Sequence, residues 1–303
     1  MNQPLSVRIS VIVPVYNASD TIASCIESIQ RQTMADFQLV VVDDGSSDNS
    51  GAICDSYAAR DSRITVVHQQ NLGRTAARQR GTAAAVGEWL AYVDADDTLP
   101  EDALATLLQR ADDGTDIVLG NGHLLQGESR SVIPMSDFRH LTIRSEGTIG
   151  VPWGSLYRRT VVDDSLFDIP REIYNGEDYL FWVRLVFLTE KPVHVVRQPV
   201  YNKGAEHTCA DFVWTADYCQ KLNLYRVGSI PAGLYDSYAD DVITDQLVNL
   251  FAVAVCQRRQ EWVCSDFYQN LMKEIRDRGY SLNWKKILFL RLPSLRMRRW
   301  LVR

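Results

Sequence analysis

Glu88-Trp89-Leu90-Ala91-Tyr92-Val93-Asp94-Ala95-Asp96-Asp97 is the stretch on which the reading of the fold turns. The apolar run 89–93 has the length and residue types of a buried strand, and it stops abruptly at a group of carboxylates. Three acids at the carboxyl end of a buried strand are costly unless something positive sits among them. A divalent cation is the simplest candidate. Hard cations take oxygen ligands, and Asp94 and Asp96 offer two from neighbouring positions. Asp97 and Thr98 have a second reading, as the cap of a helix entered at Pro100-Glu101. A cap does not account for Asp94 and Asp96.

Outward from this stretch the same pattern repeats. Val7–Val15 is short and β-branched and reads as a first strand. Ser19-Asp20 offers an N-cap for a helix to about Gln32, with Ile22, Cys25, Ile26 and Ile29 at helical spacing. Strands are expected at Phe37–Val42 and Ile64–His68, and helices at Asn49–Arg60 and Arg74–Val86. Gly81, inside an Ala-rich helix, marks close packing. Strands alternating with helices indicate an α/β fold, a mostly parallel twisted sheet with helices on both faces. In such sheets ligands bind beyond the carboxyl ends of the strands. Tyr16-Asn17, Asp43-Asp44, Asn71 to Arg74 and Asp94 to Asp97 all fall at those ends and should converge.

After Asp112 the pattern loosens. Ile117–Leu119, Val151–Tyr157 and Pro192–Tyr201 read as strands and Asp178–Leu188 as a helix, with Asn175 as a candidate cap. From Asp211 onward the chain is helical. The expected organisation is a domain over 1–207, with a nucleotide-binding half to about 110 and an acceptor half over 111–207, followed by a helical extension over 208–303.

Composition narrows the class. The 303 residues are 46% hydrophobic and 23% charged, enough for a sizeable core. A formal charge of −6 argues against nucleic acid as a partner. None of the six cysteines forms a C-x-x-C pair, which disfavours zinc ribbons and thioredoxin-type sites. The N-terminus lacks a basic leader and no apolar run is long enough to span a bilayer, so the expected location is cytoplasmic.

Each polar cluster has a functional and a plain reading. Asp43-Asp44-Gly45-Ser46-Ser47 is either a turn or a carboxylate site for base N–H groups or ribose hydroxyls. Tyr16 either stacks on a flat base or packs in the core. Arg74 and Arg78 share a helix face at i, i+4 and either meet a phosphate or base or are salt-bridged. Glu177 and Asp178 open a helix, where the dipole favours carboxylates and keeps a general base ionised at neutral pH. Trp153 is a core aromatic or a sugar platform. His207 is incidental or a third metal ligand beside Asp94 and Asp96.

The ordered set Val11-Ile12-Val13-Pro14-Val15-Tyr16-Asn17, Val41-Val42-Asp43-Asp44-Gly45-Ser46, Asn71-Leu72-Gly73-Arg74 with Ala77-Arg78, Asp94-Ala95-Asp96-Asp97 and Gly176-Glu177-Asp178 resembles the family 2 inverting glycosyltransferases with the GT-A fold. Trp153-Gly154-Ser155-Leu156-Tyr157-Arg158-Arg159 is similar to the segment that precedes their Glu-Asp motif. The resemblance covers roughly residues 7 to 207. It implies a nucleotide-sugar donor, most often a UDP-sugar. Tyr16 and Asp44 would hold the base, with Asp43 close by, and Arg74 would contact the nucleotide. Asp94 would face the ribose or the metal, and Asp96 would bind Mn²⁺ or Mg²⁺ on the diphosphate. Asp178 would deprotonate the acceptor hydroxyl, with Glu177 positioning the acceptor or the base. The final glutamine-rich motif of processive synthases is not evident, which favours transfer of a single sugar. A sugar nucleotidyltransferase would carry a Gly-rich basic loop near the N-terminus, which Val13–Asn17 lacks. A non-catalytic nucleotide-sugar scaffold would not need both Asp96 and Asp178.

Residues 284–303 contain no acid and mix Lys and Arg with Trp, Leu, Ile and Phe. This tail either lies on the anionic inner-leaflet membrane surface or docks on the core with its basic side in water. Membrane contact fits a glycan or polyprenyl-diphosphate-sugar acceptor of O-antigen or capsule assembly.

Overall fold

The β-branched run near the N-terminus forms β1, Ile9–Val15, at the centre of the parallel part of a sheet. The computed structural model describes residues 7–120, 125, 127–145, 150–204 and 212–292. β1 pairs in parallel with β2, Phe37–Asp43, on one side and with β4, Trp89–Tyr92, on the other. β2 pairs in parallel with β3, Ile64–His68. Beyond β4 the sheet becomes mixed. β7, Ser155–Arg158, lies antiparallel between β4 and β5, Ile117–Leu119. β8, Val193–Val195, runs parallel to β5, and β6, Val132–Ile133, runs antiparallel to β8. The spatial order is β3-β2-β1-β4-β7-β5-β8-β6. The register aligns Val15 with Asp43 and Asp43 with His68, so the polar residues at the carboxyl ends share one rim.

Helices cover both faces. Val11, Val13 and Val15 pack against α1 (Ile22–Gln30), α2 (Ser50–Ala58) and α4 (Ala103–Leu108). Ile12, Val40 and Val42 face the other way, in a cluster shared with α3 (Arg74–Ala84), α5 (Met135–Ile143) and α6 (Glu177–Leu185). Strand alternation thus divides one sheet between two cores. Trp89 and Trp182 are fully buried, one in each.

Some expected elements are shorter, for local reasons. The strand expected over Val151–Tyr157 begins only at Ser155, because Pro152 lacks an N–H and Gly154 has a φ of +73°. That expected over Pro192–Tyr201 is ordered only over Val193–Val195, between two prolines. Thr21, not Ser19 or Asp20, takes the cap position of α1, without a side-chain bond. The Ser19 N–H instead donates to Asp48 at 3.0 Å. Gly176, in the left-handed region, takes the cap position expected for Asn175.

The chain divides into two compact units, residues 1–142 with 146–206, and residues 143–145 with 207–303, in each case as far as they are described. The second is helical: α7 (Ala216–Ser229), α8 (Tyr235–Cys256), α9 (Arg259–Trp262), α10 (Asp266–Asp277) and α11 (Trp284–Arg291). Leu247, Leu250, Trp262, Phe267 and Leu271 form its core, and the buried Arg226 pairs with Asp245. Among the described residues, no helix is long and apolar enough to cross a membrane.

Gly81 is where α3 meets the sheet. A Cβ there would lie 2.4 Å from the Ile12 Cγ2, a branched methyl with no free rotamer to retreat into. Alanine normally gains about 1 kcal/mol over glycine in a helix. Here overpacking of about 1–3 kcal/mol outweighs that gain. Gly81→Ala is therefore expected to lower the thermal midpoint; a raised midpoint would show that α3 is free to withdraw.

Candidate active site

The first two strand ends are stitched together by short polar bonds. Asn17, with a φ of +49°, accepts from the Ser47 N–H at 2.8 Å, and its own N–H donates to the Ser46 hydroxyl. This leaves Tyr16 on the rim, 52% exposed, available for stacking and not part of the core. Asp44 is buried and its carboxylate is heavily used. It accepts from Gln69 at 2.7 Å and from the backbone N–H groups of Leu72 and Gly73, both at 2.8 Å. Asp44 thus fixes the Asn71–Gly73 loop that leads into α3. Gly45 is required beside it, since a Cβ there would lie 2.7 Å from the Asn71 nitrogen at a φ of +71°. Arg171 braces the same loop, donating to the Asn71 side chain at 2.6 Å.

Asp43 sits one residue back and accepts from the Ser46 N–H and from His68 Nδ1, both at 3.0 Å. Burial opposes its ionisation, but the bonds from Ser46 and His68 outweigh that and hold its pKa below the ordinary carboxylate value. The other ring nitrogen of His68 lies 3.0 Å from Asp55. Only the doubly protonated ring satisfies both carboxylates, and these bonds raise the His68 pKa.

The centre of the site is Arg78, which is 4% exposed. One arm of its guanidinium reaches Asp94 at 3.0 Å and the other reaches Asp178 at 2.5 Å. Burial alone would discharge it, but the flanking carboxylates of Asp178 and Asp94 more than compensate and raise its pKa. The open alternative for Arg78, salt bridge or ligand contact, resolves as a buried two-way ion pair. Arg74, one turn earlier, is 58% exposed and lies 3.4 Å from Glu177. Glu177 departs from the expectation that a first-turn carboxylate stays ionised. It is buried, and burial together with the adjacent Asp178 raises its pKa against the pull of Arg74.

The acidic cluster divides its labour. Asp97 is not a helix cap. Its carboxylate accepts from the Tyr201 hydroxyl at 2.6 Å and the Gly204 N–H at 2.7 Å, while Tyr201 also accepts from the Asp94 N–H at 3.0 Å. Burial, against these bonds, raises the Asp97 pKa. A Cβ on Gly204 would lie 2.0 Å from the Asp96 carbonyl, so the backbones meet directly. Trp153 stacks on Tyr201 with centroids 4.5 Å apart, which gives one ring face a protein partner. Tyr201 and Gly204 escaped the sequence reading; a tyrosine just after Pro199-Val200 carries no local signal of its partner 104 residues away.

Among the described residues the Asp96 carboxylate makes no hydrogen bond or ion pair, and no three potential ligands cluster around a metal position. Asp96 and its neighbour Asp94, the latter already paired with Arg78, are the carboxylates there that could offer hard oxygen ligands to a divalent cation. His207, the third ligand considered, lies outside the described residues.

The mixed sheet with its polar strand ends, flanked by Arg78 on α3 and Asp178 on α6, has the GT-A fold. Residues 10–166 match the family model "Glycosyl transferase family 2", and the chain belongs to that family. It is 33% identical over 256 residues to the Uncharacterized glycosyltransferase YibD of Escherichia coli (strain K12), covering 79% of this chain and 64% of that one. Glycosyltransferase GlyG of Streptococcus pneumoniae serotype 4 is 42% identical over 119 residues, 39% of this chain and 40% of its own length. The GalNAc(5)-diNAcBac-PP-undecaprenol beta-1,3-glucosyltransferase of Campylobacter jejuni is 30% identical over 192 residues, 59% of each chain. The matches thus span less than two thirds of these relatives. In fold, the chain is similar to S. aureus TarS 1-349 in complex with UDP-GlcNAc, with a TM-score of 0.56, 20% identity, and 91% of this chain and 94% of that one covered. It is also similar to the mannosyltransferase PcManGT from Pyrobaculum calidifontis in complex with GDP-Man and Mn²⁺, with a TM-score of 0.56, 17% identity, and coverage of 97% and 85%.

The His68 bridge makes stability depend on pH. A raised histidine pKa contributes stability that is present below the unfolded value of about 6.5 and lost as pH rises through the folded value. Asp43, with its pKa lowered, contributes above about pH 4 and loses its share as pH falls through its folded value. His68→Asn is therefore expected to lower the thermal midpoint more at about pH 5.5 than at about pH 8.5. An equal deficit at both would rule out a charged bridge.

Proposed function

We propose that this chain moves one sugar from a nucleotide-sugar donor to an acceptor hydroxyl by direct displacement with inversion. The observation that carries the reading is Arg78 bound at once to Asp94, just after β4, and to Asp178, at the start of α6. One cation thereby holds a donor-side and an acceptor-side carboxylate at a fixed separation. The TarS complex with UDP-GlcNAc supports a UDP-sugar as donor, and family membership supports the transfer itself. The name of the Campylobacter relative supports a glycan or polyprenyl-diphosphate-linked sugar as acceptor, in cell-surface polysaccharide assembly such as O-antigen or capsule.

In this mechanism the exposed ring of Tyr16 stacks on the base. Asp43 and Asp44 bound the base pocket, and Arg74 faces the nucleotide. Asp94 meets the ribose or shares the metal position with Asp96. Asp96 would hold a Mn²⁺ or Mg²⁺, which would supply charge neutralisation for the departing diphosphate. The acceptor oxygen attacks the anomeric carbon as the bond to the diphosphate breaks. The bond's electron pair leaves with the diphosphate, and the acceptor proton passes to Asp178. Glu177, raised in pKa by burial and by Asp178, donates or accepts a hydrogen bond that orients the acceptor. Arg78 is a positioning residue: it holds the Asp178 carboxylate in one orientation.

Nucleotide release from UDP-sugars, with Mn²⁺ and a membrane extract as acceptor source, tests the reading. Asp178→Asn is expected to lower turnover by about a hundredfold to ten-thousandfold while UDP binding persists. Arg78→Lys keeps the charge but loses the fork, and should lower kcat by about tenfold or more with the donor KM little changed. Turnover surviving both Asp178→Asn and Asp96→Ala would sink the assignment. A proportional loss of donor binding in Arg78→Lys would make Arg78 a donor ligand instead.

A further inference from the structure

Helix α11 is apolar on two opposite sides. Phe289 and Leu290 are buried in the core of the helical unit, where Phe289 meets the Phe251 ring edge-on at 4.8 Å. The Arg259 side chain donates to the Leu290 carbonyl at 3.2 Å and ties down the same side. The Asn283 side chain accepts from the Lys286 N–H at 2.9 Å, so the helix is fixed from its first turn. On the other side Trp284, Ile287 and Leu288 fall at i, i+3 and i+4 and are 68%, 37% and 41% exposed. Arg291 continues that row at i+7, and Lys285 flanks it with its ammonium 5.8 Å from the Trp284 ring. A helix that is apolar all round is normally covered all round. α11, which also carries Lys285, Lys286 and Arg291, leaves Trp284, Ile287 and Leu288 in contact with water.

The surroundings specify the cover. Residues 284–303 carry seven Lys or Arg and no Asp or Glu, in a chain whose formal charge is −6. Of these, Lys285 and Arg291 lie beside the exposed apolar row, and four fall in 293–303, outside the described residues. We propose that this face of α11 docks on an anionic lipid bilayer. Trp284, Ile287 and Leu288 enter the interface, and Lys285 and Arg291 meet lipid phosphates. Tryptophan favours the headgroup level, where its ring is half solvated. Lysine and arginine lay their stems along the apolar zone and keep their charge at the surface. A protein partner fits less well: protein interfaces are depleted in lysine at their centres and need about 800 Å² from each side, more than three side chains supply. Attraction to anionic lipid accumulates charge by charge and needs no such area. Among the described residues no helix is both long and apolar enough to cross a membrane, and contact of this kind would bring the enzyme to a lipid-borne acceptor. In that respect the inference rests on the acceptor class proposed above.

The full chain is sedimented with phosphatidylcholine vesicles and with vesicles containing about 30% phosphatidylglycerol. Binding is expected to the anionic vesicles, to weaken at high salt, and to fall by about tenfold or more in the double variant Trp284→Glu, Leu288→Glu. Both positions are on the surface, so an unchanged thermal midpoint shows that the variant is folded. The same variant retaining vesicle binding, or equal binding to both kinds of vesicle, overturns the proposal. So does a dimer that the double substitution dissociates, which would assign the face to a second copy of the chain. Vesicle binding is read without turnover. A chain that binds vesicles but releases no nucleotide would defeat the glycosyl-transfer reading and leave this one standing.

Discussion

One buried guanidinium organises the functional end of this molecule. Arg78 on α3 reaches Asp94 after β4 and Asp178 at the start of α6. Without it, Asp94 and Asp178 would lose their shared counter-charge, and Arg74, on Glu177, would be the nearest remaining cation of the ion pairs described. Removing one partner of such a buried pair typically costs about 3–5 kcal/mol, because the remaining charge stays buried. The arrangement also has a chemical consequence. A carboxylate held by a buried cation keeps one orientation, which the proposed base would need.

The loops around Arg78 are held by polar bonds whose donors and acceptors are far apart in sequence. Asp44 gathers the loop that starts α3, Asn17 ties the ends of β1 and β2, and Asp97 locks the Tyr201–Gly204 segment onto the acidic cluster. With Asp97 and Asp94 so occupied, Asp96 is the carboxylate of the cluster left open among the described residues. The opening run of four residues is thus one structural acid, one ion-paired acid and one available for a ligand, separated by a buried alanine.

How much of this was legible in the sequence depended on distance along the chain. β1 to β4 and α1 to α3 could be read because apolar periodicity and turn residues are local signals. So could the convergence of Tyr16, Asp43, Asp44 and Asp94 on one rim, since parallel strands put their carboxyl ends together. Arg78 stood on the same helix face as Arg74, but periodicity does not say which of two arginines turns inward. That depended on Asp178, 100 residues later. Tyr201 and Gly204 were invisible for the same reason. Caps misled at Ser19, Asp97 and Asn175, since each side chain type suits a cap and also suits a longer-range bond or a loop. The ionisation expected for Glu177 from the helix dipole failed because burial is the larger effect.

The proposed chemistry is a single displacement in which Asp178, held by Arg78, would take the acceptor proton. The configuration of the new glycosidic bond reports this directly. Proton NMR of the product from an α-linked nucleotide sugar should show a β-linked sugar as the only new anomer. An α-linked product would mean retention, and would contradict the assignment of Arg78, Asp94 and Asp178 to one inverting site.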